Sequence, residues 1–237
     1  MLRHFALVFG CFLLLAHSSI VQAARYSDEQ LIKAFNATVF GAEYSSWGWH
    51  TRIVKKYVKP IRVYIDNRAK RNRSRAVAKF VRSLNGTIRG IEITIVNDAR
   101  KANFTIYVVD RKAYKDVVRK EVYRQRSMNV PGRCLVRVVS APSGIRRSDA
   151  VIVSDEGEFL FKRCLVEEIL QGLGPVNDNS SLKSSVFNDL SKHSRFTKHD
   201  QYILNMLYDK RIRPGMNQRE VGKVLPAVLR DARRRVR

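Results

Sequence analysis

The 237 residues include 45 Lys and Arg against 21 Asp and Glu, a formal charge of +24, and 45% are hydrophobic. That apolar content excludes a wholly disordered chain, and the length allows one domain or at most two small ones. The chain has neither zinc-finger spacing nor an aromatic–basic strand signature, so the positive excess points away from a specific nucleic-acid module and toward anionic lipid or an anionic envelope polymer.

The first 23 residues read as a secretory signal peptide. Arg3 and His4 precede "FALVFGCFLLLA", an apolar run too short to span a bilayer with ease, and "VQA" places small residues before a cleavage point after Ala23. An uncleaved N-terminal anchor is the alternative. Cleavage leaves residues 24–237 as an exported chain, periplasmic or extracellular, with no other apolar run of membrane length. Cys134 and Cys164 survive processing. An even count in an exported chain favours a disulfide over a catalytic thiol served by His193 or His199.

Residues 28–40 form a helix behind a Ser27 cap, with Leu31, Ile32, Phe35 and Val39 on one face. "WGWHTRIVKKYVKPIRVYID" reads as one or two strands interrupted at Pro60. A helix over 68–85 sets a stripe of Ala76, Val77, Phe80, Val81 and Leu84 against a basic face. Arg68, Lys70, Arg71, Arg73, Arg75 and Lys79 on its other faces make the candidate anion-binding surface. "IEITIV" and "ANFTIYVVD" follow as strands, then a basic helix over 111–126 and two more strands, "CLVRVVSA" and "DAVIVSD". Asp149, Asp155, Glu156 and Glu158 form an acidic patch ahead of the next helix, about Glu158 to Leu173, which stops at Gly174-Pro175. Thr197 caps a helix through Tyr208, and Asn217 with Glu220 forms a capping-box pattern for a last helix that Pro226 should kink or break. The order predicts an α+β chain, 24–237, with a sheet half over about 50–157 and a helical half over 158–237.

The helix ending at Gly174 holds the unusual chemistry. Glu167, Glu168 and Gln171 lie among apolar residues on nearly every side, although burying an unpaired carboxylate costs several kcal/mol. Read from Glu167 the pattern is E-E-x-x-Q-x-x-G-x-x-N, through Gly174 and Asn177. It resembles the metzincin zinc-peptidase signature H-E-x-x-H-x-x-G-x-x-H, in which two histidines one turn apart and a third beyond the glycine hold zinc and the glutamate activates water. "SVFND" stands where that family has its methionine turn, and Thr197, Asp200, Leu204, Leu207 and Tyr208 match a T-x-x-D-x-x-x-L-x-x-L-Y pattern of its C-terminal helix. The chain is also similar to an uncharacterised family of secreted bacterial proteins that shares a C-x-x-E-E-x-x-Q-x-L-G-x-x-N-D core and an L-Y-D-x-x-x-x-P-G-M segment, here Leu207 to Met216.

The resemblance implies a zincin-like mixed sheet, an active-site-type helix and a C-terminal helical subdomain. The metal chemistry does not carry over, because all three histidine positions are changed and Val186 or Phe187 stands at the methionine turn. One carboxylate and two amides hold zinc poorly. Oxygen ligands from Glu167, Gln171, Asn177 and Asp178 suit an atypical divalent cation better. A plainer expectation is a Glu167–Gln171 hydrogen bond across one helical turn, with Glu168 meeting an arginine such as Arg137. The expected function is a non-catalytic envelope binding or accessory module without a cofactor, with an anionic or protein partner. The alternative is a metal-dependent hydrolase or peptidase with Glu168 as general base.

Overall fold

A computed structural model describes residues 26–40 and 52–236. The signal-peptide expectation for residues 1–23 lies outside the described residues. A five-stranded sheet runs through the molecule, formed by β1 (Ile61–Asn67), β2 (Ile93–Ile95), β3 (Phe104–Val109), β4 (Cys134–Ala141) and β5 (Gly144–Val153) in the order β2-β1-β3-β5-β4. All neighbours pair parallel except β4, which pairs antiparallel with β5. The result is a mixed α/β architecture.

Central β3 is buried at every position, as a strand covered on both faces must be. Its period-2 alternation sends Phe104, Ile106 and Val108 into the larger core and Tyr107 and Val109 into a smaller one. The smaller core is closed by α3 (Arg111–Val117), which continues as a π-helical turn over Val118–Tyr123. The expected basic helix over 111–126 is therefore shorter and irregular at its end. On the other face lie α2 (Ser74–Thr87) and α4 (Glu158–Gln171), while α5 (Lys198–Leu207) and α6 (Gln218–Arg235) pack with α1 (Asp28–Phe40).

Three expectations change in detail. The helix expected from residue 68 begins at Ser74, because the preceding turn is fastened otherwise. Arg68 and Ala69 donate to the Val108 carbonyl, and Asn67 Oδ1 accepts from the Arg73 N–H. Ala76 consequently faces solvent while Val77, Val81 and Leu84 are buried. "PSGIRR" is not a separating loop: Pro142 and Ser143 make a tight hairpin turn and Gly144 already belongs to β5. Nor does Pro226 break α6, which runs through it with Val221, Leu225, Val228, Leu229 and Ala232 buried. That buried stripe outweighs the roughly 3 kcal/mol an internal proline costs.

The caps behave as the sequence indicates. Ser27 and Gln30 exchange hydrogen bonds at the start of α1, and Thr197/Asp200 and Asn217/Glu220 form complete capping boxes. Cys134 on β4 and Cys164 on α4 form a disulfide, which excludes Cys164 as a free catalytic thiol. The bridge closes a sequence separation of 30 residues and ties α4 to the antiparallel edge of the sheet. Replacing both cysteines by serine should lower the urea-unfolding free energy by about 3–4 kcal/mol. An unchanged midpoint would show that the packing of α4 on the sheet does not depend on the bridge.

Candidate functional site

Helix α4 is buried along most of its length, with Cys164, Leu165, Val166, Ile169 and Leu170 in the core. Its carboxyl end needs two glycines. A Cβ on Gly172 would lie 2.4 Å from the Phe104 ring, and one on Gly174 would lie 2.1 Å from the Lys55 carbonyl. Gly174 also has φ +136°, a conformation side chains resist. The close approaches turn the chain back so that residues 177 and 178 return beside α4.

Each ligand-type position then finds a protein partner. Arg163, one turn before Glu167, donates from Nη2 to Glu167 Oε1 at 2.9 Å and to the Asn188 carbonyl at 3.0 Å. Its Nη1 reaches the Ser191 carbonyl at 3.1 Å, Ser191 Oγ at 3.2 Å and the His193 carbonyl at 3.4 Å. Gln171 Nε2 donates to Asp178 Oδ1 at 2.9 Å, and Asn177 Nδ2 donates to the Thr38 carbonyl of α1 at 2.9 Å. Glu167 and Gln171 are therefore not hydrogen-bonded to each other as expected, because Arg163 and Asp178 are stronger, charged partners. Arg137 does not meet Glu168 either. Its guanidinium donates to the Val122 carbonyl and lies over the Tyr123 ring, drawn to the smaller core on the other side of the sheet.

Glu168 is 5% exposed, and among the described residues no hydrogen bond reaches its carboxyl. Burial, followed by the nearby carboxylates of Glu167, Asp178 and Asp189, pushes its pKa well above the ordinary range. Burial pushes Glu167 up to about 8 against the pull of Arg163, with Asp178, Asp189 and Asp200 adding to the rise. That direction favours the protonated acid, the form that does not act as a general base. Ligand oxygens of Glu167, Asp178 and Asp189 lie within 4.8 Å of one another, so this acidic group could hold a hard cation only by competing with Arg163 for Glu167.

The turn over residues 185–188 is built as firmly. Val186 and Phe187 are fully buried, and Asp200 of α5 accepts from Ser185 Oγ at 2.6 Å and from the Val186 N–H at 3.3 Å. Thr197 and Asp200 thus hold the turn as well as capping α5. Leu207 is buried, and Tyr208 Oη donates to the Leu173 carbonyl at 2.9 Å, locking α5 to the end of α4. His193 bonds the Lys183 carbonyl, while the buried His199 ring packs edge-on against Tyr26. Arg163 and Asp189 complete the cluster and did not stand out in the sequence. Arg163 was detectable as the i−4 neighbour of Glu167, and Asp189 as the last residue of "SVFND".

The proposed basic surface is divided. Arg68 pairs with Asp66 and Glu121, and Arg71 with Glu158. Arg73 is 7% exposed, bonds Ser154 and Glu158, and stacks over Phe161 at 4.2 Å. Lys70, Arg75 and Lys79 remain exposed. The acidic patch is matched by cations: Asp149 to Arg147, Glu156 to Arg111 and Arg133, and Glu158 to Arg71 and Arg73, while Asp155 accepts the Arg111 N–H.

Two measurements follow from the cluster. Arg163→Ala should cost about 3–5 kcal/mol of stability, since it strands Glu167 and three carbonyls; a loss below 1 kcal/mol in urea unfolding would show the ion pair to be dispensable. For pH, burial raises both carboxyl pKa values on folding, so their contribution is full below the ordinary 4.5; that of Glu167 is lost as pH rises through about 8, and that of Glu168 as pH rises through its own raised pKa. His199 acts oppositely, its pKa lowered by burial to about 4, and loses its contribution as pH falls from 6.5. Between pH 6.5 and 8 the acids therefore act without it, and stability should decline there. Glu168→Gln should flatten that decline, which an unchanged slope would contradict.

Over residues 28–227 the chain matches the family model described as "Protein of unknown function (DUF2927)". No curated protein matches it. With most of its length covered, the chain belongs to the DUF2927 family, whose function is unknown.

Proposed function

We propose that this protein is a non-catalytic, exported binding module whose helix α4 occupies the place of a zincin active-site helix without zinc chemistry. The observation that carries this reading is the donor set: of the three histidine positions only Glu167 is anionic, and it is engaged by Arg163, while the other two are neutral amides anchored through their NH2 groups. Glu167 is held by Arg163, Gln171 by Asp178 and Asn177 by the Thr38 carbonyl. A zinc ion needs anionic or imidazole ligands free to converge on it, and this donor set does not fit. The mixed sheet with antiparallel β4, the sharp turn at Gly174 and the buried Val186–Phe187 turn held by Asp200 support the zincin-like reading. Export is supported by the disulfide, which is compatible with an oxidising compartment. No described helix is long and apolar enough to cross a membrane.

The partner the charge favours is an anionic surface, a lipid bilayer or envelope polymer, contacted by exposed cations that no neighbouring carboxylate answers. Binding to anionic vesicles should then fall steeply as salt rises from 50 to about 500 mM, where the screening length drops toward a few Å. Salt-independent binding would contradict it.

The second reading is a hydrolase in which a cation held by Glu167, Asp178 and Asp189 restores Glu168 as a base; it is favoured by the 4.8 Å grouping of those carboxylates. Thermal unfolding of chelator-treated protein with added Zn²⁺, Ca²⁺, Mg²⁺ or Mn²⁺ separates the two. The binding-module reading expects an unchanged midpoint. A rise of several degrees that disappears in Asp178→Asn would overturn it in favour of the hydrolase.

A further inference from the structure

A cleft of about 640 Å³ lies beyond the carboxyl end of α5, away from the acidic cluster. Six cations line it, Lys56, Arg89, Lys210, Arg211, Arg213 and Arg235, against only two acids, Asp209 and Asp231. The acids are already used. Arg211 grips Asp209 through Nε and Nη2 at 2.8 Å each and also pairs with Asp231, while Arg235 lies 3.7 Å from Asp209. Lys56 is buried in the wall, its Nζ donating to the carbonyls of Leu207, Asp209 and Ile212 at 3.0, 3.0 and 2.7 Å. Among the described residues, the exposed side chains of Arg89, Lys210 and Arg213 form no ion pair.

Their backbones are nonetheless fixed. The Arg89 N–H donates to Asn205 Oδ1 at 3.0 Å, and the Arg213 N–H reaches Met216 Sδ at 3.1 Å. The Gly215 N–H bonds the Val54 carbonyl at 3.0 Å. Arg89 beyond α2, and Lys210 and Arg213 beyond α5, thus line a concave site from braced backbone, so little backbone ordering is needed when an anion enters. On the same rim Val58 is 60% exposed, an apolar side chain beside the charges. Guanidinium groups favour phosphate through forked hydrogen bonds, and an apolar residue beside cations suits a headgroup attached to acyl chains.

We infer that this cleft is a phosphate-binding site in which Arg89, Lys210 and Arg213 hold the phosphate of an anionic lipid headgroup with Val58 against the bilayer. The inference deepens the binding-module reading and rests on it. The test compares the wild-type protein with Arg89→Glu/Lys210→Glu/Arg213→Glu and with Arg75→Glu/Lys79→Glu, by co-sedimentation with phosphatidylcholine vesicles containing phosphatidylglycerol. The cleft variant should bind at least tenfold more weakly, with its circular dichroism and unfolding midpoint unchanged, while the α2 variant loses less than threefold. Val58→Asp should also weaken binding without altering the fold. Failure of both variants to bind less tightly, or a larger loss in the α2 variant, would overturn the cleft but leave the anion-binding reading standing. No binding by wild type would remove both. Inorganic pyrophosphate distinguishes the source: competition at millimolar concentration shows that phosphate alone is recognised, and its absence shows that the lipid-borne headgroup is required, each with the cleft as the site.

Discussion

The Arg163 guanidinium, buried between α4 and the segment 188–193, is the contact on which the arrangement around α4 turns. Four carboxyl groups, Glu167, Glu168, Asp178 and Asp189, influence one another there, and Arg163 is the cation nearest them. Full ionisation of such a group in a poorly solvated interior is unfavourable. Two responses are visible. Arg163 donates to Glu167, pulling against the rise in its pKa, while its remaining N–H groups satisfy carbonyls of residues 188, 191 and 193. Burial raises the pKa of Glu168 and so favours its protonated form. The same Arg163 contacts fix where the chain lies after the turn, and Asp200 secures the other end of that segment through Ser185 and Val186.

Much of the fold was legible because it follows from periodicity and caps. The alternation in "ANFTIYVVD" is the alternation of β3 between two cores, and the Thr197–Asp200 and Asn217–Glu220 pairs are the capping boxes observed. The helix expected from residue 68 started late because Asn67 and the Val108 carbonyl fasten residues 68–73 in a turn, a long-range contact with no local signature. Pro226 misled for the reverse reason: local propensity lost to a buried stripe.

At the candidate site, residue identities were legible and pairings were not. Glu167, Gln171 and Asn177 were recognisable as a set from their spacing, yet each chose a partner from a different part of the chain: Arg163 one turn earlier, Asp178 after the glycine turn, and Thr38 of α1. Charge counting had a similar limit. It located basic residues before α2, but it could not tell that Arg73 is buried against Phe161 and Ser154 or that Arg68 and Arg71 answer nearby acids. A formal excess becomes a binding surface only where cations lack acidic neighbours, and that is decided by tertiary contacts.

The spacing E-E-x-x-Q-x-x-G-x-x-N does not require catalysis to account for it. Gly172 must lack a side chain because Phe104 fills the space, and Gly174 because the Lys55 carbonyl does. Once those two positions set the turn, Asn177 arrives within reach of the last turn of α1 and Asp178 within reach of Gln171. Each polar residue then serves as a joint: Gln171 closes the turn, Asn177 fastens it to α1, and Glu167 receives the cation that organises residues 188–193. Among the motif residues described, Glu168 has no such joint. The rise in its pKa lowers the cost of that burial by favouring the protonated form. The spacing is therefore accounted for by packing, and the end of α4 positions α5, whose carboxyl end supplies the wall of the basic cleft.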